Sequence, residues 1–156
     1  MEKITRRVKD MARGYGASAV GIVTTEMLGG GPPSTDLAYV LPTAKSAVSF
    51  AIPLNQDGIE PWFNKQSHET HFQNNIHTNV IASGISLELA NYLNQKGYPS
   101  VPLTANMTYR EDTKNGRYDE IPPLSHRYLA VRSGVGFFGL SGNVLTKENG
   151  AAIILG

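Results

Sequence analysis

The sequence contains no cysteine, few charged residues and no long hydrophobic run. The lack of cysteine excludes disulfides, thiolate nucleophiles and thiolate metal sites from these 156 residues. Fourteen basic and 13 acidic side chains leave a net charge of +1, so no overall field attracts nucleic acid. The apolar runs are shorter than the about 20 residues of a membrane span, and the N-terminus lacks a secretory signal pattern. We therefore expect a soluble, cytoplasmic domain without a membrane partner.

The length suits one domain, which can bury a core without disulfide or metal staples. In the first third of the chain, apolar residues at helical spacing predict an amphipathic helix over 3–14. Strands are predicted at 17–25 and 46–54, where β-branched and small apolar residues dominate. Between them, the three glycines and two prolines of 28–36 indicate a loop.

The clearest predicted element is a long helix that begins at Thr70, which forms a capping-box pattern with Gln73, and stops before Gly97. Apolar residues recur along it at steps of three and four, and we expect them to form one stripe facing the core. The members of this expected stripe are Ile76, Val80, Ile81, Ile85, Leu89, Tyr92 and Leu93.

The last third of the chain predicts a short strand at 98–105, a polar loop at 106–123 and a helix from Ser125 to Ser133. Two further strands, "NVLT" and "AAIILG", flank the turn-forming "KENG". Helices mixed with at least four strands indicate an α/β or α+β domain with one central sheet. Because the last apolar strand runs to the end of the sequence, we expect a piece of a longer chain that pairs with a second copy along this strand edge.

The stretch "GVGFFGLSGN" places Gly134, Gly136 and Gly139 in the G-x-G-x-x-G spacing of a dinucleotide-binding turn. That turn needs a strand before it and a helix after it, whereas here a predicted helix precedes and a strand follows. Two readings remain: a helix C-cap with a tight turn, or a close backbone approach to a flat ligand beside Phe137 and Phe138.

The segment 125–156, "SHRYLAVRSGVGFFGLSGNVLTKENGAAIILG", resembles the cobalamin-binding domain shared by epoxyqueuosine reductases and reductive dehalogenases. "YGASAVGIV", "LPTAKSAVSFAIPL" and "LANYLNQKGYPSVPL" extend the resemblance more loosely over nearly the whole chain. It implies a nitroreductase-like α+β fold, a central mixed sheet flanked by helices, that holds a corrinoid. In that family a ferredoxin-like part with 4Fe–4S clusters follows, and its cysteines would lie beyond residue 156.

The resemblance also implies site residues. Its cofactor-binding positions are Ser125, His126, Ser133, Gly134, Gly136, Phe137, Phe138, Gly139, Ser141, Gly142 and Asn143. Its proton-donating aspartate, seven residues before the helix arginine Arg127, corresponds to Glu120, with Asp119 as the fallback. Arg127 would orient the acid or an anionic group. From the residues alone, Glu120 and Asp119 belong to a solvated loop, Arg127 to a surface ion pair and His126 to a helix cap.

Besides Glu120 in place of the aspartate, the sequence departs from the family pattern at two positions of the turn, where Phe137 replaces a tryptophan and Leu140 a lysine. The leading hypothesis is the corrinoid- and substrate-binding part of an iron–sulfur oxidoreductase, acting on a small molecule or, if the substrate is tRNA, on a modified nucleoside. The alternatives are a non-catalytic binding module of the same fold or a flavin-binding domain. His68, His71 and His77 lack zinc-protease spacing, so we expect a solvated helix entry and no metal.

Overall fold

A computed structural model describes residues 2–105 and 122–156. Its loops contain three short 3₁₀ turns, at Pro33–Thr35, Leu37–Tyr39 and Gln56–Gly58. The helices and strands, in chain order, are α1 (Glu2–Gly14), β1 (Ala19–Thr24), β2 (Ser46–Pro53), α2 (Glu60–Phe63), α3 (Glu69–Gln95), α4 (His126–Arg132), β3 (Phe137–Phe138), β4 (Val144–Leu145) and β5 (Ile153–Leu155).

The main sheet has the order β1-β2-β5, and both of its strand pairs are antiparallel. Ala51 pairs with Ala19 on one side and with Leu155 on the other, which makes β2 the central strand. A separate antiparallel pair joins β3 to β4. The expected α+β class is therefore confirmed, whereas the expectation of one mixed sheet is wrong for the described residues.

The alternation of side chains along β2 divides the core into two layers. Phe50 and Ile52 point to one face, where α1 and α3 pack on them through Val8, Ile85 and other apolar residues. Ala51 points to the other face and packs against Ala130 of α4. The sheet is thus covered by α1 and α3 on one side, and by α4 with the β3–β4 hairpin on the other.

The close packing of α4 on the sheet depends on Gly21 of β1. A Cβ atom at this position would lie 2.5 Å from the hydroxyl oxygen of Ser133 and 2.6 Å from its Cβ atom. Only a residue without a side chain lets the end of α4 approach the strand so closely. This contact fixes the position of the turn that follows α4.

Helix α3 differs from its prediction in two respects. Its first residue is Glu69, and the hydroxyl oxygen of Ser67, not that of Thr70, accepts a hydrogen bond from a first-turn amide. The expected single stripe is two stripes. Ile85 and Leu89 are buried against the sheet, whereas Ile76, Val80 and Ile81 are exposed. At 100° per residue, positions 76 and 80 lie far around the helix from 85 and 89, so one neighbouring layer cannot cover both.

The predicted strand at 98–105 is not a strand. Pro99 and Pro102 have no N–H to donate, and side chains of α3 satisfy part of the remaining backbone. The amide of Asn94 donates to the carbonyl of Ser100 and accepts from its N–H, and the hydroxyl of Ser83 accepts from Ala105 N–H. Hydrogen bonds to side chains of α3 therefore replace the ladder that the apolar residues suggested.

The last two predicted strands form, but not as a pair. Thr146 and Gly150 bridge across the "KENG" turn, as the turn chemistry predicted. Beyond that bridge, β4 pairs with β3 and β5 pairs with β2. The turn therefore carries the chain from the small sheet to the edge of the large one. No helix within the described residues is both long and apolar enough to span a membrane.

Candidate ligand-binding cleft

Helix α4 begins where the sequence predicts it. The Ser125 hydroxyl caps the helix by accepting from the N–H of Tyr128 at 3.5 Å, and Ser125 N–H donates to the carbonyl of Ser34 at 2.8 Å. The "PPLS" sequence, which ends in Ser125, favours an extended cap residue before the helix. The start of α4 is thus tied to the distant loop around Ser34.

The glycine-rich turn after α4 has a backbone explanation. Gly134 has a φ of 78°, and Val135 N–H donates back to the carbonyl of Ala130, which closes the helix. A Cβ atom at Gly136 would lie 2.5 Å from the carbonyl oxygen of Leu145, so β3 can pair with β4 only with glycine there. The prediction of a C-cap followed by a tight turn is confirmed.

Arg127 holds the tip of the hairpin against α4. Its guanidinium donates to the carbonyl of Gly142 at 3.2 Å, and Gly139 N–H donates to the carbonyl of Asn143 at 2.8 Å within the tip. In the part of the chain that the structure describes, Arg127 makes no ion pair. Among the described residues its observed role is to position the turn, and the surface ion pair that the residues alone suggested is not seen there.

A cleft of about 710 Å³ lies where α4, the hairpin tip and the edge of β5 meet. Its walls come from five parts of the chain that are distant in sequence: Ser34, 103–104, 122–128, Phe138 with 142–144, and Ala151 with 153–155. Of the eleven predicted cofactor-binding residues, five line it: Ser125, His126, Phe138, Gly142 and Asn143. Six do not: Ser133, Gly134, Gly136, Phe137, Gly139 and Ser141. The structure thus brings together only part of the predicted set.

His126 lies between this cleft and a second, mainly apolar cavity of about 560 Å³ bounded by α1, β2, α3 and Leu124. Its Nδ1 is 3.2 Å from the carbonyl oxygen of Leu155, so Nδ1 carries the hydrogen and donates it. Burial lowers the pKa of the imidazole, and the hydrogen bond to Leu155 opposes this shift only in part. In the neutral ring Nε2 is therefore an acceptor.

Two aromatic rings form one wall of the cleft. Tyr128 and Phe138 meet edge to face, with ring centroids 5.1 Å apart. Sequence reasoning missed Tyr128. Its position on a short helix, directly before a hairpin with two phenylalanines, was the sequence feature that could have indicated this contact. Phe137, on the opposite side of β3, is 57% exposed and does not line the cleft, and neither does Leu140. Phe137 and Leu140, two positions at which the sequence departs from the pattern it resembles, thus lie outside the cleft walls.

The cleft walls carry one formal charge among the described residues, the cation of Arg127. Hydroxyls, the Asn143 amide and main-chain groups supply the rest of its polar surface. Such a lining suits a neutral or anionic ligand rich in hydrogen-bonding groups. The predicted catalytic residues Glu120 and Asp119 lie outside the described residues.

The histidines at the start of α3 are dispersed. His71 stacks on Trp62 with ring centroids 4.8 Å apart, and His68 is the residue before the helix, without a capping hydrogen bond from its side chain. Within 2–105 and 122–156, no three His, Asp or Glu side chains lie together as a metal ion requires.

These observations define an α+β protein with a polar cleft between a helix start, a hairpin tip and a sheet edge. Among solved structures, the fold is similar to the crystal structure of epoxyqueuosine reductase with a tRNA-Tyr epoxyqueuosine-modified tRNA stem loop, with a TM-score of 0.50. The superposition covers 99% of this chain at 15% identity and 44% of that enzyme's chain, so this chain spans less than half of its length. No protein-family model and no curated protein matches the sequence.

Proposed function

We propose that this chain is the corrinoid- and substrate-binding part of a cobalamin-dependent iron–sulfur oxidoreductase of the epoxyqueuosine reductase or reductive dehalogenase type. The observation that carries the proposal is the similarity in fold to epoxyqueuosine reductase over 99% of the chain. It is supported by the cleft, because the segment with the most specific sequence resemblance, 125–156, forms most of its wall.

The residues of the cleft fit such a ligand. A corrinoid is a flat macrocycle with peripheral amides, which both donate and accept hydrogen bonds. The side chains of Ser125 and Asn143, the Nε2 atom of His126 and the main chain at Gly142 would meet those amides, and Phe138 would pack against the ring. When bound and reduced, the corrinoid supplies the electrons of the reaction, while the protein orients the substrate and keeps water out.

Glu120 is the proposed proton donor, with Asp119 as the alternative. A carboxyl group can protonate a leaving oxygen when a dry environment raises its pKa towards neutrality. Arg127 would keep the hairpin tip in place beside the substrate. Because the sequence lacks cysteine, the 4Fe–4S clusters would be held by another stretch of polypeptide.

The proposed substrate is a modified nucleoside in tRNA or an organohalide. The first is favoured because the enzyme of similar fold was solved with a modified tRNA stem loop. Arg127 gives the cleft the positive charge that a phosphate backbone requires. A cytoplasmic location belongs to the same proposal, because tRNA is modified there.

Corrinoid binding is the direct test. The purified protein is mixed with cobalamin under reducing conditions and separated by gel filtration, and the corrinoid absorbance of the protein peak is measured. We expect co-elution, and about a tenfold loss of affinity in Phe138→Ala, equivalent to about 1.4 kcal/mol. Phe137→Ala is the matched control, since Phe137 precedes Phe138 in β3 but does not line the cleft.

The outcomes separate the alternatives. A protein peak without corrinoid absorbance contradicts the proposal, and flavin fluorescence in that peak instead supports a flavin-binding domain. Corrinoid binding without turnover, when iron–sulfur reductase activity is reconstituted, supports a non-catalytic binding module.

A further inference from the structure

Strand β2 is longer than its neighbour β5, so one edge of β2 has no partner strand along its first half. At the last point of contact, Phe50 N–H donates to the carbonyl of Gly156 at 2.9 Å, and Gly156 N–H donates to the carbonyl of Phe50 at 3.0 Å. Residues 46–49, here called the β2 edge, pair with β1 on their other side. On the side of β5, no strand of the described residues pairs with them.

The main chain of the β2 edge is oriented for further pairing. Along an antiparallel strand, successive residues direct their N–H and C=O groups to opposite neighbours. Phe50 bonds towards β5, whereas the carbonyl of Lys45 bonds towards β1, where it accepts from Thr25 N–H at 3.1 Å. Val48 and Ser46 therefore direct their N–H and C=O groups to the same side as Phe50. They offer the hydrogen-bonding groups that an added strand requires.

The second cavity, of about 560 Å³, lies along the β2 edge. Residues 46–50 and Gly156 line it, and the rest of its wall comes from both layers of the core. Its apolar lining includes Val8 and Leu89 on the side of α1 and α3, and Leu124 and Leu129 on the side of α4. The cavity therefore lies in the plane of the sheet, between two layers that continue past its edge.

The size of the cavity matches a short strand. A residue of a buried strand occupies roughly 160 Å³, from a rise of about 3.4 Å, a strand spacing of about 4.8 Å and a layer spacing of about 10 Å. The cavity therefore holds about three to four residues. The β2 edge presents the four positions from Ser46 to Ser49, so its length and the cavity volume agree.

The proposed function, on which this inference rests, makes the chain part of a longer polypeptide. We propose that the second cavity receives the polypeptide that follows Gly156, which continues β5 as a strand along the β2 edge. Gly156 already lies in the ladder opposite Phe50. The antiparallel register then sets the first following residue opposite Ser49 and the second opposite Val48.

The lining selects a continuous chain over other occupants. A small apolar molecule would leave the N–H and C=O groups of half-buried Val48 without partners, which costs free energy. A separate peptide in line with β5 would bring a charged terminus against Gly156, between apolar walls, where burial of charge is costly. A chain that continues from Gly156 brings only peptide groups, and every second residue pairs with the β2 edge.

The continued strand would also lie behind the ligand-binding cleft. A residue opposite Ser49 faces the same layer as Ala51, which packs on α4. His126 begins α4 and lines both the cleft and the second cavity. The first residue after Gly156 is therefore directed to the side of the sheet where His126 lies, and the second to the side of α1 and α3. We expect that second residue to be apolar and not proline, because its N–H must donate to the carbonyl of Val48.

Amide hydrogen exchange, measured by NMR, tests the proposal. The chain that ends at Gly156 is compared with one that contains about eight further residues of its own polypeptide, which reach past Ser46 at about 3.4 Å per residue. We expect the Val48 N–H to exchange about tenfold or more slowly in the longer chain. The Ser49 N–H is the matched control, since it points to β1 and should be protected in both chains. A longer chain with proline as the second residue after Gly156 should lose the protection of Val48.

Three results overturn the proposal. The first is rapid exchange of the Val48 N–H in both chains. The second is equal protection of this N–H in both chains, because the β2 edge is then covered without the following segment; light scattering would show whether a second copy covers it. The third is a coding sequence that stops at Gly156. Corrinoid is absent from this measurement, so the result does not depend on whether the cleft binds corrinoid.

Discussion

The imidazole of His126 and the carbonyl of Leu155 are joined by a hydrogen bond of 3.2 Å, which connects the first residue of α4 to the edge strand β5. The two residues lie 29 positions apart in the sequence. Both residues line the cleft, and the carbonyl acceptor fixes which ring nitrogen carries the hydrogen.

The burial of His126 predicts a pH dependence of stability. Burial lowers the pKa of His126 in the folded protein, so below the ordinary value of about 6.5 the unfolded chain binds the proton first. The free energy of unfolding should fall as the pH decreases from about 6.5 towards the folded pKa, by at most about 1.4 kcal/mol per pH unit from this group. Urea unfolding between pH 5 and pH 8 measures it.

His126→Gln is the comparison for that series. Glutamine can donate to the Leu155 carbonyl without titrating, so the pH dependence of the variant should be shallower than that of the wild type. Identical slopes below pH 6.5 in the two proteins would contradict the assignment.

The cap of α4 predicts a stability effect. Ser125→Ala removes the side-chain acceptor of the Tyr128 N–H and should lower the free energy of unfolding by about 1 kcal/mol. Chemical denaturation measures the change. Ser141→Ala, at an exposed position in the hairpin tip, is the control and should change stability little. Equal effects of the two substitutions would argue against the cap.

The close approach of α4 to β1 predicts that Gly21→Ala is destabilising by about 1–3 kcal/mol, because the added methyl group meets the side chain of Ser133. Gly14→Ala is the control, since a Cβ atom at that position has no neighbour within 4 Å. Thermal unfolding of the two variants gives the comparison. A Gly21→Ala protein as stable as the wild type would show that the layers can separate without cost.

Arg127 predicts separate effects on stability and on ligand binding. Arg127→Met removes the exposed hydrogen bond to the Gly142 carbonyl, which should cost about 1 kcal/mol or less. Under the proposed function, the loss of corrinoid-binding free energy should exceed the loss of unfolding free energy, because the hairpin tip is released from α4. Arg132→Met is the control at the far end of the same helix. Equal corrinoid affinities for the two variants would show that Arg127 does not contribute to ligand binding.

The sequence predicted the residues of the cleft only in part. The segment 125–156 does form much of the cleft wall, and five of its predicted residues line it: Ser125, His126, Phe138, Gly142 and Asn143. The other six predicted residues belong to the same turn but serve its backbone or point elsewhere, since a resemblance marks a segment and not the direction of each side chain. Tyr128 was missed because its contact with Phe138 joins two elements that fold back on each other.

The sequence by itself determined the elements whose signals are local. Helix α4 begins at its serine cap and ends before Gly134, as the chemistry of neighbouring residues requires. Only the tertiary structure decided which face of α3 is buried and which strand β5 joins. Those choices depend on contacts between distant segments. Apolar residues have the same spacing on both faces of α3, so spacing alone does not show which face is buried. The backbone of β5 could pair with β4 across the turn or with β2, and only the assembled sheet selects β2.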